Sequence, residues 1–255
     1  MFNFGEFRAQ TEIGWGKFST IYVAESRGAS GQPGDAAVKS VRLKCPAEGF
    51  FDGVDPEAFD RAVARQKAAN EAGCTGVAPI LATGRNGLLA YYATKRFARS
   101  LHDLIQSKVQ LNPGNLRQIA TACTDVLLQL REKTGGSHGN LKASNVLCVG
   151  TGQAESFQIV LTDLAPVAEL QHEDIHALGL IVAQLVLRRE ISNAHWPIPH
   201  SPEWQALGEE GERWRAYCNA LIDPAFSRSL DGLAFARESI PKPAGKKRRL
   251  SLIHI

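Results

Sequence analysis

A change of hydrophobic period near residue 95 constrains this chain more than any other feature of its sequence. Before it, the pattern is mainly that of strands. Thr11 to Glu25 mixes β-branched and aromatic residues around Gly14 and Gly16, which predicts two strands joined by a glycine turn. Gly28 to Gly34 is a polar, glycine-rich loop ending in Pro33-Gly34. Ala36 to Leu43 alternates, and Lys39 falls on the same face as Ala37, Val41 and Leu43. One helix interrupts this part: Asp55-Pro56 pairs an N-cap acceptor with proline at the first helical position, and the helix is expected to run to about Glu71, before Gly73. Short apolar runs follow at Ala78 to Ala82 and Leu88 to Thr94. After residue 95 the spacing becomes three and four. Leu116, Ile119, Ala120, Cys123, Leu127 and Leu130 form one stripe behind an Asn112-Pro113 start, and Ile175, Leu178, Ile181, Val182, Leu185 and Val186 form another. A small β-rich lobe therefore precedes a larger α-rich one.

Composition narrows the class of function. With 255 residues, 44% hydrophobic and 22% charged, the chain can bury a substantial core. The N-terminus carries Glu6 and Arg8 without a long apolar run, so no signal peptide is expected. No stretch reaches the roughly 20 apolar residues of a membrane span. Cys45, Cys74, Cys123, Cys148 and Cys218 are odd in number and lack metal-knuckle spacing, as expected for reduced thiols in a cytoplasmic protein. The net charge is +3, but Lys242, Lys246, Lys247, Arg248 and Arg249 lie near the C-terminus. Without those five, 24 basic residues face 26 acidic ones, a balance of −2. A near-neutral body argues against a nucleic-acid partner.

Three segments carry chemistry in a telling order. The first is Ile13-Gly14-Trp15-Gly16-Lys17-Phe18-Ser19-Thr20-Ile21-Tyr22, and the second is Ala37-Val38-Lys39. The third is His138-Gly139-Asn140-Leu141-Lys142-Ala143-Ser144-Asn145-Val146-Leu147, followed by Leu161-Thr162-Asp163-Leu164-Ala165. Each alone is weak, since two glycines in a hairpin usually just permit a turn and a strand lysine usually snorkels to solvent. Together they resemble the protein-kinase signature set of glycine loop, strand lysine, catalytic loop and metal-binding aspartate, over about residues 8 to 187. The resemblance implies a bilobal α+β kinase-like domain over 1–240, with an N-lobe of about 1–93, a hinge near Thr94 to Arg96 and a C-lobe of about 97–240. Residues 241–255 would then be a basic tail. It also implies a nucleotide site: Gly14 and Gly16 opening backbone amides to phosphates, Lys39 and Lys142 as cations, Thr94 at the hinge, and Asn145 and Asp163 as oxygen ligands of a divalent metal. The cofactor implied is ATP with Mg or Mn.

The departures from that family weigh against phosphotransfer. Asn140 stands where the catalytic aspartate would accept the substrate proton, and an amide cannot act as a base; such a loss costs on the order of 10²–10⁴ in rate. The His-Gly-Asn run is shared with the pseudokinase domains of Janus kinases, which resemble nucleotide binders. Asp174-Ile175-His176-Ala177-Leu178-Gly179 resembles the family's Asp-x-x-x-Leu-Gly, so only ten residues separate Asp163 from Asp174. An activation loop, a peptide platform and its anchor need roughly thirty or more. The position expected to supply a glutamate to Lys39 falls at Arg65 or Gln66, with Glu57 and Glu71 about two turns away on either side. Asp163-Leu164-Ala165 lacks the family's glycine. The expectation is a pseudokinase, a signalling or scaffolding module with protein partners and residual ATP binding. The alternative is a weak atypical kinase acting on a non-peptide acceptor.

Two features compete. His172-Glu173-Asp174-Ile175-His176 matches the zinc-hydrolase spacing, with Glu190 and His195 as loose candidates for a third ligand. Polar residues opening a helix account for it more simply. The tail Lys246-Lys247-Arg248-Arg249, turning apolar at Leu250 to Ile255, resembles the basic cluster that precedes a membrane span, which would place the chain near a membrane, and a disordered basic tail accounts for it equally well. Trp196, Trp204 and Trp214, with Asp223-Pro224, are expected to pack the last helices rather than bind.

Overall fold

The computed structural model describes residues 3–16, 19–26, 40–46, 56–86, 89–149, 158–167, 171–192, 195–223 and 232–243. The expected loop Gly28 to Gly34, Lys39 and the tail from residue 244 onward lie outside them. The small lobe is a six-stranded antiparallel sheet in the order β1-β2-β3-β4-β6-β5. Its strands are β1 Asn3–Phe4, β2 Phe7–Gly16, β3 Ser19–Ser26, β4 Ser40–Pro46, β5 Ile80–Asn86 and β6 Leu89–Lys95. β2 and β3 form the expected glycine hairpin, with Gly14 opposite Ile21 and Gly16 opposite Ser19. Helix α1, Pro56–Glu71, starts at the predicted Asp55-Pro56 and lies across β5 and β6. Phe4, Phe7, Ala9, Ala24, Tyr91 and Ala93 make this lobe's own core.

The large lobe begins with β7, Arg99–Ser100, and α2, Leu101–Gln106. Ser100 and Asp103 close a reciprocal capping box that satisfies two of the helix's orphan amides. Helix α3, Pro113–Thr134, shows the cap read from sequence: the Asn112 side chain accepts from Asn115 N, proline fills the first turn, and Gly135 ends the helix at φ 68°. A second small sheet, β7-β8-β9, contains β8 Val146–Val149 and β9 Gln158–Leu161. Helix α4, Gln171–Leu187, is the buried axis of the lobe, and α5 Pro202–Gln205, α6 Gly211–Ile222 and α7 Gly232–Glu238 surround it with α3. Both predicted stripes are in the core; Leu116, Ile119, Ala120, Leu178 and Val182 are fully buried. Trp204 and Trp214 are also fully buried and pack there. Trp196 instead sits at the surface, its indole N–H donating to Asn219 O at 3.1 Å.

The α4–α6 contact has no spare room at Gly179, where a Cβ would stand 2.8 Å from Leu221 Cβ and 2.9 Å from Ile222 Cγ1. Gly179→Ala should therefore lower stability by about 1–3 kcal/mol, despite alanine's higher helix propensity. Urea titration of wild type and variant checks this; a gain in midpoint would refute the close packing.

Candidate functional site

A cleft of about 930 Å³ separates the lobes. Ile13, Gly14 and Ile21 of the glycine hairpin form its roof, and the connection from Arg96 to Ser100 forms its rear wall. Its floor comes from Lys142, Ser144, Asn145, Leu147 and Asp163. Gly14, Lys142, Asn145 and Asp163, four of the residues picked out in the sequence, thus line one cavity. Gly16 ends β2 in the same hairpin. Thr94 does not line the cleft and corrects the expected hinge. β6 stays paired with β4 through Val41 and Lys95, so the crossing segment starts only at Arg96. Thr94 is consequently fully buried inside the sheet, its hydroxyl without a hydrogen-bond partner among the described residues.

The loop from Ser137 to Asn145 is held by one carboxylate. Asp174, in the first turn of α4, accepts from His138 N at 2.6 Å and Gly139 N at 2.9 Å. Burial pushes its pKa up to about 6, against the opposing pull of those two amides and of Arg65. The His138 ring is buried and bridges the loop to the segment between β9 and Asp163. Its Nδ1 accepts from Asn140 N at 3.2 Å, so Nε2 carries the proton and donates to Thr162 O at 3.0 Å. Thr162 N in turn donates to Asn145 O at 3.0 Å.

Asn140, where the resemblance leads one to expect a general base, is a donor in this network. Its Nδ2 donates to Asp163 O at 2.9 Å, while Asn145 Nδ2 donates to Asn140 O at 2.8 Å. Asp163 has φ 64° and is gripped at each polar group. Its N–H donates to Gln66 Oε1 at 2.9 Å, its carbonyl takes Asn140, and its Oδ1 accepts a hydrogen bond from the Tyr92 hydroxyl. Gln66 is also anchored, donating from Nε2 to Ala78 O at 2.8 Å. Asn145 and Asp163 are oxygen donors suited to a hard cation. With Oδ1 bonded to Tyr92, the carboxylate as folded does not fit a divalent metal held by both of its oxygens, because such an ion would have to displace the phenol proton.

Arg65, the neighbour of Gln66 on α1, is one of the two positions at which a glutamate is expected. Its guanidinium donates to Ser137 O at 2.6 Å, to Val167 O at 2.9 Å and to Ala165 O, tying α1 to both the catalytic loop and the short connection. Burial lowers its pKa from the ordinary arginine value, partly offset by Asp174. Glu57 pairs with Arg61 on the outer face of α1 and Glu71 is exposed at its end, while Lys39, the expected partner of such a glutamate, lies outside the described residues. Gly139 has φ 73°, and a Cβ there would stand 2.8 Å from Ala165 Cβ and 3.3 Å from Val167 O. Sequence reasoning singled out positions 65 and 66 for what they lack. It missed what they bond, and it missed Tyr92 altogether, because a tyrosine in an apolar strand carries no signal of an acidic partner across the cleft.

The zinc reading gains no support. The His172 side chain lies outside the described residues, while His176 Nδ1 donates to Ile222 O at 3.1 Å in the α4–α6 contact. Glu190 instead meets Gln106 and His102, and His195 meets Ser192. Among the described residues no group of three potential ligands comes together.

A small antiparallel sheet with one helix, a connecting segment, and a helical lobe that brings the 137–145 loop and Asp163 to the interlobe cleft are the architecture of the protein-kinase fold. Solved structures agree. The PknI kinase domain of Mycobacterium tuberculosis superimposes with a TM-score of 0.61 at 17% identity, covering 94% of this chain and 96% of that one. A double mutant of the same domain gives 0.62 at 15% identity, covering 94% and 97%. No protein-family model matches the sequence, and no curated protein matches it. Among the described residues no helix is long and apolar enough to cross a membrane.

Proposed function

We propose that this protein is a pseudokinase: a signalling or scaffolding module that binds ATP in the interlobe cleft and protein partners on its surface, without transferring phosphate. The observation that carries this reading is the state of Asn140. Its amide donates to Asp163 O at 2.9 Å, so the group at the base position neither can take a proton nor is turned to receive one. The short Asp163–Asp174 connection, drawn down by Arg65, supports it by leaving no length for a peptide platform. The cleft, with Gly14 above and Lys142 below, supports nucleotide binding. Occupancy would bias the two lobes toward one arrangement and so present or withdraw a partner surface. The module works in the cytoplasm, and the basic tail brings it close to a membrane.

Thermal unfolding with ATP tests this. At 100 times its dissociation constant a ligand stabilises by about 2.7 kcal/mol. The expected result is an ATP-dependent rise that Lys39→Ala diminishes, with no radiolabel transferred to any acceptor. Transfer abolished by Asp163→Ala would replace the reading with a weak atypical kinase, and no rise with ATP under any metal condition would leave a nucleotide-free scaffold.

A further inference from the structure

Tyr92 stands between Asp163 and a metal. The tyrosine lies on β6, is only 4% exposed, and has its ring 5.8 Å from that of Phe59 on α1. Its hydroxyl donates to Asp163 Oδ1 inside the protein, and Asp163 itself is 6% exposed. Neither partner can swing away freely. The aspartate's backbone is fixed by Gln66 and Asn140, and the tyrosine's by its strand and the ring contact. The phenol proton occupies one of the roughly four lone-pair sites of this carboxylate, so a divalent ion held by both of its oxygens would have to displace it, and a buried hydrogen bond of this kind is costly to break.

We propose that the Tyr92 hydroxyl takes the place of a divalent ion on Asp163, so that a nucleotide polyphosphate entering this cleft is held without Mg²⁺ or Mn²⁺ on that carboxylate. The second half rests on the nucleotide reading above; the competition between phenol and metal does not. The cleft still offers cations to a polyphosphate, since Arg96, Arg99 and Lys142 line it, alongside the carboxylates of Asp103 and Glu190. Tyr92 thereby sets the metal requirement of the site.

The test titrates Mn²⁺ into the full chain and follows the free ion by electron paramagnetic resonance, without nucleotide. Wild type should bind Mn²⁺ no better than Asp163→Asn. Tyr92→Phe, which keeps the ring and removes the competing proton, should bind roughly tenfold more tightly, the worth of about one hydrogen bond. Tyr92→Phe combined with Asp163→Asn should lose that gain. The proposal fails if wild type binds as tightly as Tyr92→Phe, or if the gain survives in the double variant. Should Tyr92→Phe not fold, wild type against Asp163→Asn still decides: equal binding supports the proposal and tighter wild-type binding overturns it. In a separate arm, wild type is heated with ATP in EDTA and in Mg²⁺. Equal stabilisation supports the metal-free mode, and stabilisation only with Mg²⁺ overturns it. Stabilisation by neither refutes the nucleotide reading, while the Mn²⁺ comparison still judges Tyr92.

Discussion

Asp174→Ala should destabilise the fold by about 3–5 kcal/mol, the range for removing one member of a buried charged network. The carboxylate is 2% exposed and is the acceptor for two consecutive backbone amides, His138 N and Gly139 N. Alanine leaves both without that partner, and each buried orphan donor costs about 1–3 kcal/mol. It also removes the negative charge facing Arg65. Urea unfolding measures the loss. A double-mutant cycle with Arg65→Met, which keeps the aliphatic stem, should show coupling of about 0.5–3 kcal/mol; a change within about 0.5 kcal/mol for Asp174→Ala, as at an ordinary surface site, would mean that the loop is held by other contacts. The pH dependence has a definite sign. Burial lifts the folded pKa from 3.8 to about 6, so between those values the folded protein holds a proton that the unfolded chain has released. This group's contribution therefore makes stability fall as pH rises from about 4 to 6, with no further change above that. Asp174→Asn should flatten that slope.

The division of labour between sequence and structure is physical. The start of helix α3 was legible to the residue, because Asn112-Pro113 is local capping chemistry that depends on no distant partner, and helix α1 begins at the predicted Pro56. The buried stripes of α3 and α4 were legible for the same reason: period alone selects the inward face. Gly14, Lys142, Asn145 and Asp163 line one cleft. What stayed hidden depends on contacts between residues far apart in the chain. Tyr92 and Asp163 are 71 positions apart, and Arg65 and Ala165 are 100 apart. Thr94 fails as a hinge residue because pairing of β6 extends through Lys95, and strand ends are set by the neighbouring strand rather than by the residues themselves. Arg65 was read as an absent glutamate, although its side chain supplies the bonds that make the shortened connection workable.

Gly139→Arg should lower stability by about 2–6 kcal/mol. Two independent costs add. At φ 73° a non-glycine residue pays for a left-handed backbone, about 1–3 kcal/mol. Its Cβ must also fit 2.8 Å from Ala165 Cβ, and overpacking of that kind costs about 1–3 kcal/mol more. The two can be separated. Asn tolerates the left-handed region, so Gly139→Asn keeps the steric cost while relieving most of the backbone one. Ala165→Gly removes the overlapping methyl, so Gly139→Arg with Ala165→Gly should recover part of the loss and leave the strain. Urea midpoints of the four proteins measure this. Equal stability of Gly139→Arg and wild type would show that the connection does not lie against the loop. The expected ordering would instead explain the glycine: once Arg65 draws residues 165 and 167 onto the loop, nothing larger fits beneath them. Asn140→Asp added to any of these backgrounds should still transfer no phosphate, because a restored carboxylate at the base position does not lengthen the ten residues between Asp163 and Asp174.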